Sequence, residues 1–282
     1  MPSLLSAENV TVTFGGGRIG HRQVKRALDG VSIGIGDERP SIVAIVGESG
    51  SGKTTLTRLL LGLMPPTTGT ISHRDKPLSS MSGRERLVFR REVQAIFQDP
   101  FAVYNPFYRV DRAMLLPLSR FGIARNHEDA YRRIHEALAT VGLRAGETLG
   151  RYPHQLSGGQ RQRIMIARAL LLNPRIIIAD EPASMVDASL RATILDTLYK
   201  LKEEKGISLI YVTHDLTTAY QIADRVMVMN TGRVVEDGDP DDVILNPQHP
   251  YTQSLIAAIP SVDPDVKWGL DEDEPSVMSA DV

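Results

Sequence analysis

The sequence predicts an α/β protein with a parallel core sheet, an N-terminal antiparallel β subdomain and a helical insertion. Three short apolar runs, "SIVAIVG", "RIIIAD" and "LIYVTHD", end in glycine or an acid, which is typical of strands buried on both faces. Helical patterns separate these runs, as a parallel sheet requires. Two stretches within the first 36 residues instead alternate between apolar and polar residues with a period of two, which predicts half-buried antiparallel strands.

The pattern of the N-terminal residues predicts the β subdomain. Apolar and other residues alternate along "NVTVTF", a glycine turn follows at Gly15–Gly17, and the same alternation returns in "VSIGI" before Gly36. After the first buried strand, "KTTLTRLLLGL" predicts a helix that ends at Gly62, shortly before two prolines. "GTISHRDKPL" then predicts a short edge strand.

The rest of the chain supplies the insertion and the remaining core. From residue 81 to about 169 the pattern is helical and more polar, and the core pattern resumes with "RIIIADEP". Residues 188–205 predict a helix with one apolar face, which Gly206 closes. A strand at "ISLIYVTHD", a helix at "LTTAYQIA" and a hairpin turning at Asn230–Gly232 follow. We therefore expect one domain over residues 1–245, with its helical subdomain at about 81–169.

The composition excludes several kinds of site. The 282 residues are 42% hydrophobic and 23% charged, as in ordinary globular proteins. The absence of cysteine excludes disulfides, thiolate metal sites and cysteine nucleophiles, and suits a reducing compartment. "MPSLLSAENV" lacks the features of a signal peptide, and the apolar runs are too short to cross a bilayer. Any role at a membrane is therefore expected to depend on partner subunits.

The charge is unevenly distributed. Of the formal net charge of −2, residues 261–282 carry −6, which leaves +4 for the rest of the chain. This acidic tail is poor in apolar residues and is predicted to be disordered. The remainder is only mildly basic, so the charge gives little support to a nucleic-acid function.

"GESGSGKT", Gly47 to Thr54, fits the phosphate-loop pattern G-x-x-x-x-G-K-[ST] and lies between an apolar strand and a helix. Glycines let backbone N–H groups turn toward a β-phosphate, at a helix terminus that favours negative charge. Lys53 would neutralise the β- and γ-phosphates, and the Thr54 hydroxyl would bind Mg²⁺. The predicted nucleotide-binding residues of this loop are Gly47, Glu48, Ser49, Gly50, Ser51, Gly52, Lys53, Thr54 and Thr55.

Two acids follow the buried strand of "RIIIADEP". Asp180 is placed to hold the Mg²⁺ shell, in the manner of a Walker B aspartate, and Glu181 can reach a water, as general base or to position it. The alternative is that both acids are solvent contacts at a strand end, or a helix cap before Pro182. The complete phosphate loop upstream favours the catalytic interpretation.

"LSGGQRQR", residues 156–163, is a second glycine-rich segment, and with the two motifs above it resembles the signature of ABC-type ATPases. The resemblance covers nearly the whole chain. Gln98 in "AIFQDP" corresponds to the Q-loop glutamine, "SMVD" from Ser184 to Asp187 to the D-loop, and His214 in "YVTHD" to the switch histidine. The resemblance implies the P-loop NTPase fold of an ABC nucleotide-binding domain, ATPase activity, and ATP and Mg²⁺ as cofactors.

The resemblance also explains why one chain has two glycine-rich segments. It implies that Ser157, Gly158, Gly159 and Gln160, at the start of a helix, bind the γ-phosphate of the ATP held by another subunit. Two subunits would face head to tail with two ATP molecules between them. One chain alone is expected to hydrolyse ATP poorly.

The remaining roles follow from the resemblance, each with a simpler alternative. Gln98 is expected to touch Mg²⁺ or the attacking water, and His214 the γ-phosphate, although either could be an ordinary polar residue. Phe14 would lie under the adenine ring, although it could be a packing residue, and His21 could stack instead. The expected catalytic residues are Glu181, His214 and Gln98, the expected Mg²⁺ residues are Thr54, Gln98 and Asp180, and the D-loop residue is Asp187.

The C-terminal part indicates a branch of the family. "FQDPFAVYNP" and "ILNPQHPYTQSLIAAIP" resemble the oligopeptide, dipeptide and nickel importers, whose relatives also carry oligosaccharides or opines. The "NPxHPYT" segment, Asn246 to Thr252, and an apolar helix ending near Ile259 make up residues 246–260; a generic docking helix is the alternative. The chain departs from this group in lacking a cysteine cluster, which excludes an iron–sulfur site, and in having Ala183 and Met185 near the D-loop.

The resemblance therefore implies the ATP-hydrolysing subunit of an importer, peripheral to the cytoplasmic face of the cell membrane. The implied partners are a second ABC ATPase, either this chain or a related one, two integral membrane permease subunits and, indirectly, an extracytoplasmic solute-binding protein. No nucleic acid is expected. The alternatives are a soluble ABC ATPase acting on nucleic acid or ribosomes, and an ABC scaffold that regulates envelope enzymes.

Overall fold

A computed structural model describes residues 3–15, 25–99, 104–184 and 186–258. These residues form two β-sheets and the helices packed on them. The predicted acidic tail, His21 and Met185 lie outside the described residues.

The first sheet is antiparallel, which confirms the predicted N-terminal β subdomain. Its strands are β1 (Ser3–Phe14), β2 (Lys25–Gly36), β4 (Thr68–His73) and β5 (Lys76–Pro77). Their order in the sheet is β2-β1-β4-β5. The expected edge strand at "GTISHRDKPL" is a short hairpin, because the residues between β4 and β5, Arg74 and Asp75, both take positive φ angles.

The second sheet is the predicted parallel core. Its strands are β3 (Ile42–Val46), β6 (Val93–Ile96), β7 (Ile176–Asp180), β8 (Ser208–Thr213), β9 (Arg225–Asn230) and β10 (Arg233–Gly238). Their order in the sheet is β10-β9-β3-β8-β7-β6, and all neighbours are parallel except the hairpin β9–β10. The carboxyl ends of the parallel strands therefore meet at one edge, where open α/β sheets bind ligands.

The helices begin and end near the predicted signals. The helix expected over residues 188–205 has those bounds and ends where Gly206 takes a φ of +66°. In the described part of the chain, no helix is both long and apolar enough to cross a membrane. The helices are α1 (Lys53–Leu60), α2 (Gly83–Glu92), α3 (Val110–Arg120), α4 (His127–Thr140), α5 (Ala145–Thr148), α6 (Gly158–Leu170), α7 (Ala188–Lys205), α8 (Leu216–Ile222) and α9 (Pro250–Ala257).

The expected helical run over residues 81–169 is wrong at Val93–Ile96. These four residues form β6, which pairs in parallel with β7 at the edge of the core sheet. Only Val93 and Ile96 are buried, and so short a strand shows no clear periodicity in the sequence. Pairing with β7, rather than the local sequence pattern, thus determines the conformation of these four residues.

Two hydrophobic clusters lie on opposite faces of the core sheet. Along β3, Ile42, Ala44 and Val46 face one cluster and Val43 and Ile45 face the other. The first cluster includes the apolar faces of α3, α4, α6, α7 and α8, while the second includes α1 and the antiparallel sheet. The core sheet is therefore covered on both faces, which explains its apolar strands.

Candidate functional site

The phosphate-binding loop joins the end of β3 to α1 and requires glycine for two reasons. Gly47, Gly50 and Gly52 have φ angles of +149°, +87° and +108°, where L-residues are rare. A Cβ atom on Gly47 would also lie 2.2 Å from the Met229 carbonyl oxygen, and one on Gly52 2.7 Å from that of Ala27. The loop is thus fixed between its neighbours.

The N-terminus of α1 is open to an anion. No side chain caps it, and its first turn contains no acid. The first intrahelical bond runs from Leu56 N–H to Gly52 O at 3.0 Å. The preceding N–H groups, of residues 53–55, have no acceptor within the helix, and the helix dipole adds positive potential there. This terminus is suited to phosphate oxygens.

Lys53 is held against the loop. Only 6% of the residue is exposed, and its Nζ donates to Gly47 O at 2.5 Å and Glu48 O at 2.8 Å. Burial lowers the pKa of Lys53, while Glu181 and Asp180 oppose that shift. A cation is therefore fixed beside the α1 terminus.

Three predicted catalytic residues meet at the edge of the core sheet. The Glu181 carboxylate accepts a hydrogen bond from Gln98 Nε2 to Oε2 at 2.9 Å, and its Oε1 lies 3.1 Å from His214 Nδ1. Glu181 has a φ of +48°, an uncommon conformation for a non-glycine residue and one that occurs at functional sites. Its N–H donates to Val212 O at 2.9 Å, so the end of β8 fixes this backbone.

Asp180 is the last residue of β7 and pairs with Val212. Burial and the neighbouring Glu181 raise the pKa of Asp180, whereas Lys53 and Arg58 lower it. Two adjacent carboxyl groups beside a phosphate loop favour a bound cation. Together with the Thr54 hydroxyl and the Gln98 amide they supply the oxygen ligands that Mg²⁺ prefers, so the residues fit this ion.

An open cavity of about 900 Å³ joins these groups. Gly47, Glu48, Ser51 and Asp180 do not line it. The last three each adjoin a lining residue in the sequence, and the Gly47 oxygen accepts from Lys53, which lines the cavity. The predicted residues that line it are Phe14, Ser49, Gly50, Gly52, Lys53, Thr54, Thr55, Gln98, Glu181 and His214.

Sequence reasoning missed five lining residues: Lys25, Arg26, Ala27, Thr231 and Gly232. They belong to the start of β2 and to the β9–β10 turn, whose patterns indicated only a strand and a hairpin. No motif in the sequence places them beside a phosphate loop.

Phe14 lies at the end of β1 and is 48% exposed toward the cavity. An aromatic side chain that keeps so much exposed surface is not a core residue, which favours the stacking role over the packing role. His21 lies outside the described residues, so the choice between the two rings stays open.

The signature residues form a second surface, and none of them lines the cavity. Ser157 caps α6: its Oγ accepts from Gln160 N–H at 3.2 Å, and Gln160 Oε1 accepts from Ser157 N–H at 2.9 Å. A Cβ atom on Gly159 would lie 1.8 Å from Leu190 Cδ2, so α6 packs directly on α7. Gly158, by contrast, has open space around its Cα.

Asp187 caps α7 next to this surface. Its Oδ1 accepts from Leu190 N–H at 2.9 Å and from the Ser189 hydroxyl at 2.8 Å, and these bonds lower the pKa of Asp187. Because Leu190 contacts Gly159, the start of α7, which Asp187 caps, packs against the start of α6, which contains the signature segment.

Comparison with protein families gives two matches. Residues 28–184 match the family described as ABC transporter. Residues 235–281 match the one described as oligopeptide/dipeptide transporter, C-terminal region.

Two curated relatives carry transport names. The oligopeptide transport ATP-binding protein OppF of Streptococcus mutans is 41% identical, over 93% of this chain and 83% of its own length. The dipeptide transport ATP-binding protein DppF of Escherichia coli is also 41% identical, over 88% of this chain and 73% of its own length.

The fold also matches solved structures. A dimeric, post-hydrolysis state of an ATP-binding cassette bound to ADP and Pi matches with a TM-score of 0.74 and 31% identity, covering 84% of this chain and 98% of that one. The Clostridium perfringens cbiO1, part of an ABC transporter complex, matches at 0.71 and 27% identity, covering 87% and 92%.

Proposed function

The chain belongs to the ABC transporter family, and from this premise we propose that it is the ATP-hydrolysing subunit of an importer for peptides or similar solutes. The observation that carries the proposal is the cluster of Glu181, Gln98 and His214 on the wall of a cavity that also contains an uncapped phosphate loop. A base, its orienting groups and an anion site are the parts that ATP hydrolysis needs.

ATP would lie along the cavity. The N–H groups at the start of α1 and the Lys53 ammonium would bind the β- and γ-phosphates. Phe14, which also lines the cavity, would stack on the adenine ring. The exposed Arg26 and Lys25 add positive charge to the same wall.

Mg²⁺ would be held by Thr54, Asp180 and Gln98, where it would neutralise charge on the phosphate oxygens. Glu181 would then accept a proton from the attacking water. Gln98 and His214 fix the two oxygens of that carboxylate, and both are exposed enough to turn toward a ligand.

The signature surface would complete the site of a second subunit. The exposed start of α6 presents Ser157 and Gly158 away from the chain's own cavity, which suits contact with a γ-phosphate held by the other subunit. The dimeric state of the matched ATP-binding cassette supports this arrangement.

The remaining partners follow from the relatives. We propose two integral membrane permease subunits and an extracytoplasmic solute-binding protein, with this chain peripheral to the cytoplasmic face of the membrane. The oligopeptide and dipeptide names of the relatives favour peptides as the solute. The alternatives of a nucleic-acid ATPase or an envelope scaffold are not favoured, because the matches carry transport names.

The test is the solution mass of full-length Glu181→Gln protein, with and without Mg·ATP. Doubling of the mass means that the chain completes both sites with a second copy. Binding of ATP without doubling means that a related ATPase supplies the facing signature. Absence of ATP binding would overturn the proposal.

A further inference from the structure

The C-terminal segment contacts the phosphate loop through one hydrogen bond. The backbone N–H of Glu48 donates to Tyr251 Oη at 3.1 Å, across a separation of 203 residues. Tyr251 is the second residue of α9 and lies within the matched C-terminal family region. Neither the motif of the loop nor that of the C-terminal segment predicts this contact.

The contact fixes a peptide group that also holds Lys53. The N–H of Glu48 and the C=O of Gly47 belong to one planar peptide unit. Its N–H bonds to Tyr251 and its oxygen accepts from Lys53 Nζ at 2.5 Å. The tyrosine therefore sets the plane of the group that positions the phosphate-loop lysine.

Tyr251 is itself held in place by β10. Glu236 accepts from Gln248 N–H at 2.8 Å and from His249 N–H at 3.2 Å, and His249 Nδ1 accepts from Tyr251 N–H at 3.1 Å. Burial alone would raise the pKa of Glu236, but the hydrogen bonds outweigh it and leave the pKa below its usual value. Thr252, next in sequence, is completely buried. The start of α9 is thus anchored where it meets the loop.

The same strand supports the other end of the loop. In the turn that precedes β10, Gly232 N–H donates to Ser51 O at 2.9 Å, and Gly232 O accepts from Asp29 N–H at 2.8 Å. A Cβ atom on Gly232 would lie 2.8 Å from the Ala27 carbonyl oxygen, so the turn fits closely against β2. The hairpin and the α9 start hold the phosphate loop at two points.

We propose that Tyr251 is a positioning residue for ATP binding: through the Gly47–Glu48 peptide, the C-terminal segment holds the phosphate loop and Lys53 in the arrangement that receives the triphosphate. This inference rests on the proposed binding of ATP in the cavity. A loop ordered before the ligand arrives binds it more tightly, because less conformational entropy is lost on binding. The hydroxyl acts on the loop through the Glu48 N–H.

Tyr251→Phe removes only the hydroxyl and tests the proposal in the full-length protein. The matched control is Tyr220→Phe, which removes a hydroxyl that donates to Asp241 at 2.8 Å on the same side of the core sheet. For each protein we would measure the Kd for ATP by calorimetry, the KM and kcat of hydrolysis, and the unfolding temperature without nucleotide.

We expect Tyr251→Phe to raise the Kd and the KM for ATP by about two- to tenfold, the effect of one hydrogen bond, with kcat at saturating ATP within about twofold of wild type. Tyr220→Phe should leave both constants unchanged, and the two variants should unfold at similar temperatures. A change in ATP affinity without a change in unfolding temperature distinguishes positioning of the loop from a general loss of stability.

Two results would overturn the inference: an unchanged ATP affinity in Tyr251→Phe, or an equal loss of affinity in both variants. Neither would affect the proposed function as long as the wild-type protein binds ATP. Failure of the wild type to bind ATP would instead remove the proposed function and this inference together.

Discussion

Replacing Glu181 by glutamine distinguishes the contribution of this residue to hydrolysis from its contribution to the stability of the fold. The side chain is 16% exposed and makes two contacts, with Gln98 at 2.9 Å and His214 at 3.1 Å. A glutamine at this position keeps both: its amide oxygen accepts from Gln98, and its NH₂ group faces the His214 ring nitrogen, which can accept. The backbone conformation at φ +48° costs a glutamine no more than a glutamate.

The variant therefore keeps the fold but loses the base. We expect hydrolysis to slow by ~10²–10⁴, which corresponds to about 3–5 kcal/mol of transition-state stabilisation. ATP affinity should be unchanged or higher, because one negative charge beside the phosphates is removed. The free energy of unfolding should change by less than about 1 kcal/mol, the net value of one neutral hydrogen bond.

The assay is phosphate release at saturating Mg·ATP, with ATP binding and chemical unfolding measured on the same preparations. Glu204→Gln, an exposed substitution in the last turn of α7, is the matched control and should behave as wild type. Turnover of Glu181→Gln within about threefold of wild type would show that another group accepts the proton.

Two further predictions concern packing and charge. Gly159→Ala places a Cβ atom 1.8 Å from Leu190 Cδ2 and 3.0 Å from Leu190 Cγ, so either the Leu190 side chain turns away or α6 shifts from α7, and we expect a loss of about 1 kcal/mol. Gly146→Ala, in contrast, meets nothing within 4 Å. Thermal unfolding checks this, and equal stability of the two variants would contradict it. Glu236→Gln should lose about 1 kcal/mol of stability at pH 7. Because the pKa of Glu236 is lowered by folding, the charged form stabilises the protein above the unfolded value near 4.5 and this contribution disappears as the pH falls through the folded pKa. Urea unfolding should therefore show the wild type and the variant converging below about pH 4.5, and a difference independent of pH would refute the electrostatic origin.

The sequence predicted those parts of the fold and site that depend on neighbouring residues. The phosphate loop, the Asp180–Glu181 pair and the signature segment are each contiguous, so the required residue types appear as readable motifs. The helix over residues 188–205 could be predicted because one apolar face and a terminal Gly206 act locally. The resemblance implied that Gln98 and His214 belong to the site, but their contacts with Glu181 were not predicted, since both lie far from it in the chain.

The remaining features depend on contacts between distant segments. Val93–Ile96 became a strand because β7 offers an edge to pair with, not because of its own pattern. Arg26 and Thr231 reach the cavity because the antiparallel sheet and the β9–β10 turn approach the phosphate loop. The bond between Glu48 and Tyr251 joins two motifs that each have a separate explanation, so neither motif suggests the other.

The two anion-facing helices differ in a way that matches their proposed ligands. The N-terminus of α1 has no side-chain cap, so its N–H groups stay available for the phosphates of the chain's own nucleotide. The N-terminus of α6 has a complete capping box between Ser157 and Gln160, which satisfies it when no partner is present. The two roles of Ser157 are compatible, because its hydroxyl accepts from Gln160 with a lone pair and keeps its hydrogen for an outside acceptor. A γ-phosphate brought by a second subunit would therefore add a bond without breaking the cap, and this contact would favour the proposed head-to-tail pair of subunits when ATP is bound.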